Sequence, residues 1–347
     1  MAQPPPPSKR PAPPQKTDWL SMMLQPVHLL MRLADRPLRY LQKKTGTGGM
    51  AVFFIAPNML IFGLFVLLPL VINLVYSLTG GTALFLDERT FVGAGQYRQI
   101  FNCTNYLDPM SCQEDAFWTA AGNTFWFVVL QVSLMILASL ITALILNREL
   151  IGRSFWRAVF FFPVLLSPVV VGLIWRWILQ RQGLLNSMLY PFGFEPYTWL
   201  SDRTFAFGAV VGVSIWAHMG FYTLILLAGL QAIPKDLYEA AEMDGTKPAR
   251  VFRRITLPLL MPNLLVVIVL ALIKAVQVFD EVFVLTGGGP GTSTLFITQY
   301  IYETGFVSLP RNAGLAAAAS ILMGLVLVVL TLIQLGAARK NENKGKR

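Results

Sequence analysis

Residues 116–147 read AFWTAAGNTFWFVVLQVSLMILASLITALILN and contain no charged side chain. A helix rises about 1.5 Å per residue, so roughly 20 residues cross the about 30 Å hydrocarbon layer of a membrane. The whole chain is 55% hydrophobic and only 13% charged, a composition that soluble domains rarely have. This run therefore predicts a membrane-spanning helix and decides the class of the protein.

Five further stretches are free of charge, and each is long enough for a helix to cross the hydrocarbon layer or most of it. They are residues 45–86, 158–175, 204–234, 255–273 and 312–338. We therefore predict an all-α polytopic membrane protein with six transmembrane helices. The expected spans lie at about 52–78, 118–146, 156–180, 205–231, 259–285 and 312–337. The expected divisions are a Pro-rich and basic N-terminal segment 1–49, a transmembrane domain 50–337 and a basic tail 338–347.

The N-terminal segment begins with PPPPSKRPAPP at residues 4–14, which is typical of a disordered tail. Its apolar run starts too late for a cleaved signal peptide. Residues 25–43 are either a basic amphipathic helix on the cytoplasmic membrane surface or a solvated juxtamembrane tail.

The basic residues indicate which side of the membrane each connection occupies. Most of the 28 lysines and arginines fall at the two termini and in the connections after the second and fourth spans. Because connections rich in lysine and arginine stay in the cytoplasm, both termini are expected there. The net charge of +10 is then a topology signal, and it does not predict a nucleic-acid partner.

Cys103 and Cys112 are the two cysteines of the chain, and both belong to one outer loop, CTNYLDPMSC. An oxidising periplasm favours a disulfide that closes this loop. Two free thiols are the alternative.

The longest connection expected in the cytoplasm, residues 232–257, concentrates charge between two apolar runs. Pro234 suits the first turn of a helix, and Gly245 suits a left-handed helix end. Thr246 is expected to cap a second helix, and Pro258 to open the fifth membrane helix. The pattern predicts a two-helix hook, with an amphipathic linker resting on the bilayer as the alternative.

The string EAAEMDGTKPARVFRRITLP at 239–258 is similar to the EAA loop of ABC-transporter permeases. In that family, EAA is followed by DGA and then by Phe, Ile and Leu-Pro at fixed offsets. Thr246 replaces the usual alanine. The resemblance implies a type I ABC importer permease fold and a separate ATPase homodimer that grips the loop. The matching, and therefore ATPase-coupling, residues are Glu239, Ala240, Ala241, Asp244, Gly245, Phe252, Ile255, Leu257 and Pro258.

A second stretch, FDEVFVLTGGGPGTSTLFITQYIYETGF at 279–306, is similar to the segment joining the last two helices of carbohydrate-type ABC permeases. This resemblance implies an importer subunit for a carbohydrate, a polyol or a glycerol-derived solute. It also implies a second homologous permease and a periplasmic substrate-binding protein. The glycine-rich part lacks the lysine of a Walker A loop, so ATP and Mg are expected on the ATPase and no cofactor in this chain.

Polar and aromatic side chains in and near the predicted spans are candidates for a substrate path, because such groups are costly in hydrocarbon. The candidates are Trp216, Tyr222, Lys274, Gln277, Phe279 and Asp280. Phe279 is expected to pack unless the fifth helix unwinds near its end. His218 is expected to be neutral and packed, and Glu281 to lie at the outer boundary.

Two other classes of membrane protein were weighed against the transport subunit. An ion-coupled secondary transporter needs carboxylates near the mid-plane or inverted repeats, and the sequence offers neither. A membrane-embedded enzyme needs a metal or nucleophile set, but His28 and His218 are 190 positions apart and no HExxH or GxSxG occurs. We therefore predict no catalytic residue, no metal site and a location in the bacterial inner membrane.

Overall fold

The computed structural model describes residues 19–345 except Leu84, Leu107 and Leu150, and it describes no side chains for 19–39, 41 and 337–345. The Pro-rich start predicted at 4–14 lies outside the described residues. The helices are α1 Trp19–Phe62, α2 Leu68–Ser77, α3 Gly95–Phe101, α4 Asp115–Asn147, α5 Arg153–Phe161, α6 Pro168–Leu179, α7 Leu184–Leu189, α8 Arg203–Gln231, α9 Asp236–Met243, α10 Pro248–Val251, α11 Leu257–Val276, α12 Asp280–Leu285, α13 Ile297–Tyr302 and α14 Ala313–Gly345.

The described part of the chain forms two compact units, which divide between Val71 and Ile72. The first unit is α1, which bends at Gly46 because that residue has a φ of 69°, and the π-helical turn Gly63–Leu67 that follows it. Residues 25–43 are helical, and of their side chains only those of Tyr40, Gln42 and Lys43 are described, all three of them exposed.

Five helical segments are long and apolar enough to cross a membrane, and a sixth is a broken pair. The five are Gln42–Ser77, Asp115–Asn147, Arg203–Gln231, Pro248–Val276 and Ala313–Gly336. The pair is Arg153–Leu165 with Pro168–Phe192, whose axes differ by 100°. The prediction of six spans is confirmed if the pair is counted as one, but the third span is not the continuous helix expected at 156–180.

Prolines cause the break in the third span. Pro163 opens a short 3-10 turn, and Ser167 is extended with a φ of −61° and a ψ of 136°. A residue before proline avoids the helical region because the proline ring would contact its backbone. Pro168 then starts α6, where its missing N–H costs nothing.

The fifth span differs from the predicted 259–285 at both ends. It begins at Pro248, and a π-helical turn precedes α11, in which the N–H of Leu257 bonds to the carbonyl of Phe252. Pro258 cannot donate to the helix ladder, which explains the wider turn. The helix ends at Val276, and Thr298 donates to the carbonyl of Val278, a group that the break would otherwise leave unpaired.

The core of the second unit lies where α4 and α8 pack along their lengths and α6 packs on α12. Glycines permit the closest approaches. A Cβ on Gly172 would lie 2.9 Å from the carbonyl oxygen of Glu281, and one on Gly220 would lie 2.2 Å from that of Phe160. These contacts hold α6 against α12 and α5 against α8.

The segment between α2 and α4 contains the two short strands of the described residues. Strand β1, Thr79–Gly80, pairs antiparallel with β2, Thr90–Phe91. Arg89 is 8% exposed and donates to the Thr79 hydroxyl at 2.8 Å. The structure joins Cys103 to Cys112 in a disulfide.

Candidate functional site

The connection between α8 and α11 contains α9 and α10, and α9 ends in a Schellman motif. The N–H of Thr246 bonds to the carbonyl of Ala241 at 2.9 Å, and the N–H of Gly245 bonds to that of Glu242 at 2.9 Å. Gly245 has a φ of 63°, which a residue with a Cβ adopts only at a cost. The left-handed helix end predicted at Gly245 is confirmed. Lys247, not Thr246, is the N-cap of α10.

α9 has an inner and an outer face, and they differ from the expected ones. Ala241 is 7% exposed and faces the protein. Leu237, Ala240 and Met243 are exposed, Met243 at 88%. A helical wheel of the sequence groups Leu237, Ala240, Ala241 and Asp244 on one face, but of these four only Ala241 is buried, and adjacent residues on a helix point about 100° apart.

Tyr238 attaches α9 to the start of the fifth span. Its hydroxyl lies 3.1 Å from that of Thr256, which is 5% exposed in the π-helical turn. The helix then runs from Phe252 through Leu257 into α11 without interruption. A hydrogen bond and a continuous stretch of backbone thus connect α9 to the membrane helix. The role of Tyr238 was not predicted from the sequence, because no pattern in the sequence indicates that it contacts Thr256, 18 positions away.

A cavity of about 640 Å³ lies between α9, α10 and the end of α4. Its lining comprises Leu144, Arg148, Tyr238, Glu242, Thr246, Pro248, Ala249, Val251, Phe252 and Thr256. Of the loop residues predicted from the sequence, Phe252 faces this cavity. Ile255 and Leu257 are half-buried, and Pro258 is exposed.

A second cavity, of about 250 Å³, lies at the break in the third span. It is lined by Pro163, Val164, Leu166, Pro168, Val171, Ala217, His218, Lys274 and Glu281. Two prolines and four aliphatic residues thus surround three ionisable groups drawn from α8, α11 and α12. Glu281 is 3% exposed, so its carboxylate lies inside the protein and does not reach solvent, as a residue at the outer boundary was expected to do. Nothing in the sequence indicated that Glu281 is buried, since the residue stands in the first turn of α12, where acidic side chains are common on exposed surfaces.

The other predicted path residues do not line this cavity. Trp216 packs edge-on against Trp175 at 5.5 Å, and Tyr222 is 3% exposed within the core. The helix does unwind at Phe279, yet Phe279 still packs, because its ring stacks on that of Phe283 with the centroids 5.3 Å apart. Gln277 and Asp280 are exposed and lie at the two ends of the non-helical stretch between α11 and α12. Lys274 alone among the six predicted residues joins the cavity.

His218 contributes its ring to the cavity rather than to the packed core. Its Nδ1 lies 2.9 Å from the carbonyl oxygen of Ser214. Because a carbonyl oxygen can only accept, Nδ1 is the donor of this hydrogen bond. Within the described residues, no group of three or more His, Cys, Asp or Glu side chains is placed to hold a metal ion.

The glycine-rich segment 286–294 is held by hydrogen bonds to its carbonyls. Asn123 donates to the carbonyl of Thr292 at 2.7 Å, and Thr294 donates to that of Gly289 at 2.8 Å. Beyond it, Tyr300 donates to Glu114 at 3.1 Å. Burial, and then the Glu114 carboxylate, raise the pKa of Tyr300, so this hydroxyl stays protonated.

Residues 135–341, which include α8, the loop and the second cavity, match the family model described as "Binding-protein-dependent transport system inner membrane component". The chain belongs to this family. It is therefore a multi-span ABC transporter permease, a non-catalytic component of the membrane complex, and its helices have the type I importer permease fold.

Several relatives match this permease over most of their length. It is 36% identical to the trehalose/maltose transport system permease protein MalF of Thermococcus litoralis, over 87% of this chain and 96% of that protein. It is 33% identical to the lactose transport system permease protein LacF of Rhizobium radiobacter, over 83% and 94%. A crystal structure of a bacterial ABC transporter for the acidic polysaccharide alginate aligns with a TM-score of 0.72 and 23% identity, over 87% of this chain and 99% of that one.

Proposed function

We propose that this permease forms half of the translocation path of an ATP-driven importer for a carbohydrate or a related polyol or glycerol-derived solute. A separate ATPase homodimer carries ATP and Mg, grips α9 and moves the fifth span. The observation that carries the proposal is the coupling loop, in which an exposed helix face is joined through Tyr238 and Thr256 to a membrane helix. An ordinary amphipathic linker has no need of such a connection.

The direction of the complex follows from the charge distribution. The basic connections favour a cytoplasmic location for both termini and for α9, on the side of the membrane where ATP is available. A second homologous permease completes the path, and a periplasmic substrate-binding protein delivers the solute at the opposite face. A related transporter structure was determined with a periplasmic protein bound to an alginate pentasaccharide, which supports this partner.

The solute class rests on the relatives and on the second cavity. The relatives with the names quoted above transport trehalose, maltose and lactose, and a sugar hydroxyl pairs well with ionisable groups in an otherwise apolar cavity. We assign Lys274, Glu281 and His218 to the path, with Gln277 and Asp280 at its outer end. Trp216, Tyr222 and Phe279 support it by packing.

The test is a thiol crosslink in the assembled complex. Met243→Cys places a single thiol on the outer face of α9, because the native cysteines are paired with each other. Phe192→Cys is the matched control, since Phe192 is 79% exposed and is expected on the opposite side of the membrane from its place after the third span. A bifunctional thiol reagent is expected to join position 243, and not 192, to the ATPase.

Membrane-impermeant thiol reagents applied to intact cells report the orientation with the same two variants. Position 192 is expected to react and position 243 to be protected. Reaction of position 243 from outside, or solute uptake that continues under an ion gradient after the ATPase is removed, would show that the proposed function is wrong.

A further inference from the structure

Two arginines of α5 converge on a single neutral oxygen at the root of the coupling loop. With its amide oriented to satisfy both, Gln231 Oε1 accepts from Arg153 Nη2 at 2.7 Å and from Arg157 Nη2 at 2.7 Å. Arg153 Nε also donates to the carbonyl of Leu146 at 2.8 Å. Two positively charged guanidinium groups thus share one amide oxygen, which carries no net charge and cannot neutralise them.

The charge of this pair is left uncompensated by the described part of the chain. There, the acceptors of the two guanidinium groups are the oxygens of Gln231 and Leu146, and both are neutral. Arg157 Nε is buried and has no acceptor. Glu149, in the same connection, is exposed. Like charges brought together with an unfilled donor favour binding of an anion.

We propose that Arg153 and Arg157 bind the phosphate of an anionic phospholipid from the cytoplasmic leaflet. Guanidinium groups match the geometry of phosphate oxygens and form charge-assisted hydrogen bonds with them. The proposal rests on the orientation given under the proposed function, which puts α5 on the cytoplasmic side.

The neighbours of the two arginines indicate a lipid rather than a free anion. Phe155 and Trp156, which lie between the two arginines in the sequence of α5, are 65% and 46% exposed. Aromatic side chains of this kind concentrate where lipid headgroups meet hydrocarbon. Ile151, just before α5, is fully exposed. An acyl chain lying along these residues adds apolar contact to the phosphate interaction, which inorganic phosphate cannot do.

The site lies where it can affect coupling. Leu146 is in the last turn of α4, and Gln231 is the last residue of α8, directly before the connection to α9. A phosphate that takes over the guanidinium hydrogen bonds releases Gln231 and changes how firmly α8 is held to α5. Anionic lipid thereby regulates the root of the coupling loop.

The experiment measures lipid retained by the complete purified complex after reconstitution in phosphatidylcholine with and without phosphatidylglycerol, by native mass spectrometry. The double variant Arg153→Gln and Arg157→Gln is expected to retain phosphatidylglycerol roughly tenfold or more weakly. Lys43→Gln with Lys44→Gln is the matched control, because it removes two exposed charges from the same side of the membrane and is expected to leave the retained lipid unchanged.

A second variant separates a lipid site from a structural contact. Gln231→Glu supplies the missing carboxylate from within the chain and keeps the two arginines and the fold. It is expected to expel the lipid and to raise the thermal midpoint, whereas a purely structural role would raise the midpoint without changing lipid retention. Equal retention in wild type and Gln231→Glu, or full displacement of the lipid by inorganic phosphate, would overturn the proposal. Wild-type uptake driven by ATP, measured in parallel, shows separately whether the proposed function holds.

Discussion

Replacement of Gly245 by alanine tests whether the rigid end of α9 transmits force. The new Cβ meets no atom within 4 Å, so packing contributes no cost. The cost comes from the backbone, because a φ of 63° is disfavoured by about 1–2 kcal/mol for a residue with a Cβ. If the Schellman turn is required for docking, the competent population falls by a factor of about 5–30.

The assay is ATP-dependent solute uptake into proteoliposomes that hold the complete complex, with the amount of ATPase retained by the permease measured alongside. Gly245→Ala is expected to lose uptake by that factor. Gly245→Asn is expected to keep much of it, since asparagine tolerates the left-handed conformation. Gly122→Ala adds the same methyl to an exposed glycine of α4 with nothing within 4 Å, and it is expected to have no effect. Full uptake and full ATPase retention in Gly245→Ala would refute the mechanical role of the turn.

Three further substitutions test the connections around the two cavities and the outer strands. Tyr238→Phe removes the hydrogen bond to Thr256, worth about 0.5–1.5 kcal/mol, and is expected to lower the solute transported per ATP hydrolysed. Lys274→Ala removes the ammonium group of the second cavity and is expected to raise the KM for uptake about tenfold or more, the value of one charged hydrogen bond. Gly314→Ala puts a Cβ 2.2 Å from the carbonyl oxygen of Thr79, and the overpacking, about 1–3 kcal/mol, is expected to lower the thermal midpoint.

Each of these substitutions has a control within the chain. Tyr190→Phe changes an exposed tyrosine and should leave coupling intact, so equal coupling in Tyr238→Phe would argue against the connection. Lys43→Ala removes an exposed ammonium group that does not line this cavity and should leave the KM unchanged, so an equal rise in KM at both lysines would contradict the assignment of Lys274 to the path. Gly324→Ala lies on the same helix with nothing within 4 Å, and an equal loss of stability at both glycines would contradict the close approach.

The coupling loop was predictable in part. The end of α9 at Gly245 could be predicted, because a left-handed helix end is a local property of the backbone and favours glycine at that position. The face of α9 was not predictable, since the burial of Ala241 depends on residues brought from elsewhere in the chain. The role of Tyr238 is of the same kind, because its partner is 18 positions away.

The broken third span shows where a local signal was present but incomplete. Pro163 and Pro168 both disfavour a continuous helix, yet proline is tolerated in many membrane helices when neighbours satisfy the freed backbone groups. The axes of the two halves differ by 100°, and no pattern within the span specifies that angle.

The sequence by itself determined that the chain crosses a membrane several times, because the cost of placing charge in hydrocarbon depends on composition along each segment. The tertiary structure alone decided that His218, Lys274 and Glu281 share one cavity. These residues come from three helices, and their meeting depends on a proline break and on the early end of α11. A cavity forms where segments that are distant in the sequence come together, so the periodicity of any one segment cannot predict it.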